Sequence, residues 1–218
     1  MTVEEIIKMF ELKPHPEGGF YRETYRCEDF VPTEQLPSRY TLVTGPPTDK
    51  NFTRETLEWQ VPPELEKSAQ EKTVGTSPRP AAAATEEAPV KPELGRTWST
   101  CIYYLLTPDT FSAMHKLQGD EIYHFYLGDP VEMLNLYANG RSKVVKLGHD
   151  IANGAIVQHV VPHGIWQGSR LMDGGKFALM GTTMSPGFLA KDCEFGSRKK
   201  LSQEWTDCAN LIEKLTRE

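Results

Sequence analysis

The chain has 218 residues, 39% hydrophobic and 10% aromatic, enough to fill one core but short for two, so one domain carrying an insertion is the economical expectation. The formal net charge is -6, and the longest basic run, Arg198 to Lys200, is too short for a stripe that neutralises several phosphates, which argues against nucleic acid as a partner. The opening MTVEEIIKMF lacks the basic and apolar regions of a secretory signal, and no stretch approaches the length of a membrane span. Cys27, Cys101, Cys193 and Cys208 show no CxxC spacing, so a cytoplasmic protein with reduced thiols and no membrane partner is expected.

Thr2 and Glu5 form a capping-box pattern, and Val3, Ile6, Ile7 and Phe10 recur at helical spacing, which predicts a short amphipathic helix ending before Pro14. From His15 to Arg26, paired glycines precede alternating aromatic and charged residues, a pattern for a turn and then a strand at a sheet edge. Gly18 and Gly19 are assigned to that turn and not to a phosphate, because no helix follows them.

From about Thr41 to Arg96 prolines, charges and the run Ala81 to Ala84 leave few residues able to offset the cost of ordering. Residues 44–96 are therefore read as a low-complexity, disordered insertion, with a short helix around Glu64 to Lys72, between an N-terminal part (1–43) and the main core (97–218).

Strand-like segments then follow in close succession: Trp98 to Leu106, Phe111 to His115, Glu121 to Leu127, Val131 to Ala138, Ser142 to Leu147, Ala155 to Val161, Ile165 to Met172 and Lys176 to Thr183. Gly128-Asp-Pro130, Asn139-Gly140 and Asp173-Gly-Gly175 supply the turns. Short strands without intervening helices predict an all-β antiparallel sandwich or barrel. Leu201, Trp205, Cys208, Ile212 and Leu215 predict one closing helix, with Arg198 to Lys200 just before it.

The segment His115-Lys-Leu117-Gln-Gly-Asp-Glu121-Ile-Tyr-His-Phe-Tyr-Leu-Gly128 resembles the first cupin motif, with Leu117 where a second His stands, and Pro162-His-Gly164-Ile-Trp-Gln167 is similar to the second, with Gln167 in place of its His. Within the cupins, His15-Pro-Glu-Gly-Gly-Phe-Tyr-Arg22, Ser99-Thr100-x-Ile102-Tyr103, Asp120-Glu121-x-x-His124-Phe125-Tyr126-x-Gly128, Val161-Pro162-x-Gly164-x-Trp166-Gln167 and Met184-x-Pro186-Gly187-Phe188 resemble a subfamily of unassigned function. The resemblance spans roughly 1–43 and 97–215 and implies a double-stranded β-helix, the jelly-roll barrel, with short terminal helices. It also implies a homodimer.

Strand periodicity turns Glu121, Tyr123 and Phe125 one way and Ile122 and His124 the other, so His115, Glu121, Tyr123 and Gln167 can converge in one cavity if their face is the interior. Tyr21 and Arg22 are candidates for its mouth, and an Arg there suits an anionic substrate. The complete cupin site implied by the resemblance holds a divalent metal, iron, manganese, nickel or zinc, on three imidazoles and a carboxylate; His115, Glu121 and Gln167 are the remaining positions here. His159 and His163 are further histidines of the barrel region, and each reads as a loop or surface residue.

Three functional readings follow. The first is an isomerase, epimerase or lyase acting on a small carbonyl or sugar-like molecule, with His115 as general base, Glu121 as its partner, Gln167 positioning substrate, and Tyr103, Tyr123 or Tyr137 as acid. Met114-His115-Lys-Leu-Gln118 resembles the catalytic strand of cupin-fold sugar epimerases, where the His is the base. The second is a metal-dependent oxygenase or oxidoreductase on His115, Glu121 and Gln167. The third is a small-molecule-binding module without chemistry.

Overall fold

Residues 1–41 and 95–217 are described by a computed structural model of the chain. Helix α1 (Val3–Phe10) starts at the capping box read from the sequence: the Thr2 hydroxyl accepts from the Glu5 N–H at 3.2 Å, and the Glu5 carboxylate accepts from the Thr2 N–H at 2.8 Å. Then come β1 (Lys13–Pro14), β2 (Phe20–Arg26), β3 (Phe30–Val31) and a single helical turn, α2 (Ser38–Thr41). The chain re-enters with β4 (Arg96–Thr97), β5 (Thr100–Leu106), β6 (Phe111–Lys116), β7 (Glu121–Gly128), β8 (Val131–Leu136) and β9 (Ser142–Leu147). It continues through β10 (Gln158–Val161), β11 (Trp166–Leu171), β12 (Ala178–Met184) and β13 (Glu194–Phe195).

Two antiparallel sheets result, in the orders β1-β2-β5-β12-β7-β10 and β13-β6-β11-β8-β9, with β3 and β4 as a separate pair. Eight segments read as strands from alternation are strands β5 to β12, most to within two residues at each end. The prediction that β2 lies at a sheet edge holds for most of its length, since β1 pairs only with Phe20 and Tyr21.

Period-2 alternation builds the interior. In β7, Glu121, Tyr123 and Phe125 are buried while Ile122 and His124 are only partly so. The side chains of Tyr123 and Phe125 join Tyr104, Leu106, Met133 and Leu147 in the main apolar core. The outer faces are also covered: α1 lays Ile6 on Leu105 and Leu179 of the six-stranded sheet. The C-terminal helices cover Met114, Leu134 and Leu136 of the other.

That C-terminal cover departs from the single helix predicted. α3 (Arg198–Glu204) stops at Trp205, whose φ of -118° and ψ of 69° are not helical, and α4 (Ala209–Lys214) begins after one tight turn. Arg198 to Lys200 thus form the first turn of a helix and do not precede it. The bend carries Leu201 and Trp205 on one side and Ile212 and Leu215 on the other to the same sheet face, which a straight helix crossing a twisted sheet meets over fewer turns.

A second correction concerns Arg96, assigned to the insertion by composition. It is buried in β4, pairs with Asp192 through its two terminal guanidinium nitrogens, donates to the Gly187 carbonyl at 3.1 Å and covers the Tyr40 ring at 4.5 Å. A buried charge needs such a partner, and that partner lies far along the chain, out of reach of a composition window. The helix expected around Glu64 to Lys72 and the disorder expected of the insertion lie outside the described residues.

Candidate functional site

A cavity of about 270 Å³ is lined by inward side chains of β2, β5, β7 and β12 and by the segments 15–17 and 188–195. Its size is close to the lower end for small-molecule pockets, roughly 300–1,000 Å³.

The tandem glycines explain how residues 15–17 reach this space. Gly18 has a φ of 114°, and a Cβ there would stand 2.0 Å from the Phe111 carbonyl oxygen, so only glycine allows so close an approach to β6. The turn is closed by the His15 N–H on the Gly19 carbonyl and the Gly18 N–H on the His15 carbonyl, each at 2.9 Å. Three further bonds hold it: the Ala113 N–H donates to the Glu17 carbonyl, the Tyr104 hydroxyl to the Gly18 carbonyl, and Arg217 to the Pro16 carbonyl. His15 and Glu17 are thereby turned into the cavity.

Burial drives the Glu17 carboxyl up to about 8, with only the weakly donating Cys193 thiol, 3.8 Å away, and the more distant Arg217 charge opposing it. Burial drives His15 down to about 3, aided by the proximity of His115, Arg217 and Lys13. The Glu17 N–H donates to His15 Nδ1 at 3.2 Å, which places the proton of the neutral ring on Nε2.

His115 stands behind Glu17. It has no exposed surface and does not line the cavity. Its Nδ1 lies 2.7 Å from the Ala113 carbonyl, which can only accept, so Nδ1 carries the proton and Nε2 presents a lone pair. That Nε2 is 3.4 Å from Glu17 Oε2, poorly aligned for a hydrogen bond, and has no other polar partner. Burial lowers the pKa of His115 against the opposing pull of Glu121.

Glu121 has a different environment. Burial and the neighbouring Glu17 raise its pKa, but the carboxylate accepts from Gln167 Nε2 at 2.7 Å and from the Thr182 and Tyr123 hydroxyls, all of which favour the charged form or donate to it. Gln167 pairs with His115 across β6 and β11 and, like it, stands behind the lining. The three groups of the two motifs are together, as the sequence predicts, yet only Glu121 faces the cavity.

Of the remaining predicted residues, Tyr123 and Tyr21 line the cavity; Tyr103 and Arg22 do not. Tyr103 is on the outer face of β5, edge-on to Phe10 of α1, and its inward neighbour Tyr104 takes the position expected of it. Arg22 points outward to Glu11 at 2.7 Å; Glu23 and Arg26, held together by two hydrogen bonds, line the cavity instead. The parity of the side chains on each strand accounts for both cases. Tyr137 is at the hairpin of Asn139-Gly140, also outside the lining. His124 is on the outer sheet face beside Gln158 and Thr183, His159 meets Asn135 at 2.7 Å, and His163 pairs with Asp120 at the surface.

A family model described as Cupin superfamily (DUF985) matches residues 4–196. The chain belongs to this cupin family. Over 103 residues, 46% of this cupin and 51% of the relative, it is 34% identical to the uncharacterized protein YML079W of Saccharomyces cerevisiae, so it spans about half the length of the curated relative it matches. Among solved structures it is similar over 100% of its length to protein SO0799 from Shewanella oneidensis, with 25% identity over 98% of that chain and a TM-score of 0.66. It is also similar over 100% of its length to a hypothetical protein from Leishmania major, with 23% identity over 100% of that chain and a TM-score of 0.68, a likeness of fold alone.

The divalent metal implied by the cupin motifs meets an incomplete set of donors. Leu117 is hydrocarbon and offers no ligand; His115 Nε2 and Gln167 Oε1 are buried without a hydrogen-bond partner, so with the Glu121 carboxylate three of the four positions keep a donor, one of them a neutral amide. Among the described residues no group of three or more His, Cys, Asp or Glu side chains is placed to hold a metal ion, and no helix is long and apolar enough to cross a membrane.

Proposed function

We propose that this cupin is an acid–base enzyme of the isomerase, epimerase or lyase type, acting on a small carbonyl or sugar-like molecule with a pair of carboxyl groups. The observation that carries this is the contrast between Glu17 and Glu121. One sits in a dry setting that holds it protonated near neutrality, and the other is surrounded by neutral donors that support its charge. Burial raises both carboxyls, but only Glu121 has close donors set against that rise, and two carboxyls held in unlike surroundings can divide the roles of acid and base in one site.

Glu17 then donates its proton to the substrate carbonyl oxygen while Glu121 takes the proton from the neighbouring carbon, giving an enol; return of a proton to a different carbon or face completes an isomerisation, and loss of a β-substituent completes an elimination. The role of base passes from His115 to Glu121 because His115 has no surface on the cavity. His115 instead presents a neutral nitrogen to Glu17, and Gln167 orients Glu121.

The test does not require the physiological substrate. Carbon-13 NMR of the Glu17 side chain should show a titration near pH 8, and hydroxyacetone in deuterated buffer should exchange its α-protons with wild type but not with Glu17→Gln or Glu121→Gln. Titration of Glu17 in the ordinary carboxylate range would leave no acid at neutral pH and overturn the proposal.

A further inference from the structure

We infer that the cavity selects a carbonyl compound with an apolar arm, an alkyl or aryl ketone or aldehyde, over a polyhydroxylated one such as a sugar. This rests on the acid–base reading above in placing the carbonyl group at the two carboxyls; the selectivity itself comes from the wall and not from the charge of Glu121.

The carboxyls share one part of the cavity. His15 and Glu17 stand 3.8 Å apart at the glycine turn, and Glu121 is near enough to Glu17 for each to act on the other's charge. Beside them the wall is apolar. Leu117, Met184 and Cys193 are buried as one cluster with Phe188 and Phe195 packed against it, and all five line the cavity. The cluster begins next to the acid, since Cys193 Sγ lies 3.8 Å from Glu17 Oε1. Leu117 occupies the position where the cupin motif carries an imidazole, and its hydrocarbon side chain offers a ligand hydroxyl nothing to bond.

The remaining polar side chains of the wall make their hydrogen bonds within the protein. The Tyr104 hydroxyl donates to the Gly18 carbonyl at 2.7 Å, and the Tyr123 and Thr182 hydroxyls are directed to Glu121. Thr100 Oγ1 accepts from the Phe188 N–H at 3.0 Å, and Arg26 is held to Glu23 by two bonds. A sugar would therefore exchange its bonds with water for contacts with Leu117, Met184 and two phenyl rings, and each hydroxyl left without a partner weakens binding. A methylene gains on the same surface, roughly fourfold in affinity for each one taken out of water.

Acetone, methyl ethyl ketone and methyl propyl ketone differ only in the length of the arm, and methyl propyl ketone with a hydroxyl on its last carbon differs from its parent only in polarity. NMR titration of wild type at neutral pH should show affinity rising roughly fourfold per methylene along the series, with the hydroxylated ketone roughly tenfold weaker than its parent. Leu117→Asn, which puts an amide into the apolar cluster, should close or reverse the gap between those two ligands. A flat series, tighter binding of the hydroxylated ketone, or no binding of methyl propyl ketone would overturn the inference, and the wild-type comparison stands even if Leu117→Asn fails to fold. Failure of the acid–base reading looks different: the series keeps its slope while Glu17 titrates as an ordinary carboxyl and α-proton exchange is the same with and without it.

Discussion

Glu17 and His115, carried by the glycine turn before β2 and by β6, meet with a carboxyl oxygen 3.4 Å from a lone-pair nitrogen, and each is shielded from water. A carboxylic acid facing a neutral imidazole is the arrangement burial favours over the ion pair, because neither partner then carries a charge into the interior. The proton therefore rests on the residue that touches the cavity.

Burial of these groups sets the pH dependence of stability. Glu17 is raised from 4.5 to about 8, so between those values the folded state holds a proton that the unfolded chain has lost, and stability falls as pH rises through that window. His15 is lowered from 6.5 to about 3, which works the other way: its contribution is complete above 6.5 and is lost as pH falls toward 3. The two oppose each other between 4.5 and 6.5, so urea unfolding across a pH series should show stability rising from pH 3 to 4.5, a broad maximum, and a fall from 6.5 to 8. Glu17→Gln should remove the alkaline fall, worth about 2 kcal/mol between 6.5 and 8 at about 1.4 kcal/mol per pH unit. A wild-type stability that keeps rising to pH 8 would contradict the assignment.

Arg96 and Asp192 tie β4 to the segment that forms one wall of the cavity. Asp192 also accepts from the Leu189 N–H at 3.3 Å, and Arg96 holds the Gly187 carbonyl, so the pair fixes both ends of that segment. Arg96→Ala leaves a buried carboxylate unpaired and should cost about 3–5 kcal/mol in urea unfolding. Arg96→Met combined with Asp192→Leu should recover most of that loss, because the cost lies in the stranded charge more than in the bond. A double variant as unstable as Arg96→Ala would show that the pair stabilises in its own right.

These residues mark the boundary of what sequence reasoning reached. The strand segments, and the single face shared by Glu121, Tyr123 and Phe125 in β7, were legible because these residues alternate with Ile122 and His124. β5 gave no such contrast: α1 covers its outer face, so Tyr103 and Leu105 are as apolar as Tyr104 and Leu106, and alternation could not tell inside from outside. The motif spacing brought His115, Glu121 and Gln167 together correctly, but which of them faces the cavity depends on Glu17, which arrives from a turn. Paired glycines next to a polar pair are a signal of close backbone approach, and reading them only as a turn concealed the two side chains they deliver. Arg96 and Asp192 lie at opposite ends of the main core, and nothing local in either segment announces the other.

Tyr103 and Tyr104 are adjacent in sequence and should respond oppositely to loss of the hydroxyl. Tyr104→Phe removes the 2.7 Å bond to the Gly18 carbonyl in a buried setting, so stability should drop by about 1 kcal/mol and the Glu17 titration should move, since that bond holds the turn. Tyr103→Phe, on the outer face, should change stability by no more than ~0.5 kcal/mol and leave the Glu17 titration in place. A larger effect of Tyr103→Phe than of Tyr104→Phe would mean that the inward and outward faces of β5 are interchanged.

Gly18 allows the strongest test of how the carboxyl is delivered. Gly18→Ala places a methyl 2.0 Å from the Phe111 carbonyl oxygen at a φ of 114°, and both backbones are fixed by pairing, so neither can yield. The expected result is a loss of at least ~3 kcal/mol, or no folded protein at all. Gly140→Ala separates the two causes: its φ of 79° is also left-handed, yet nothing lies within 4 Å of the added carbon. It should cost only about 1 kcal/mol, the conformational share alone. If thermal and urea unfolding place the two variants together, close approach of the turn to β6 is not what positions Glu17, and the route from the glycine pair to the cavity must be sought in the Tyr104 and Arg217 bonds to the same turn.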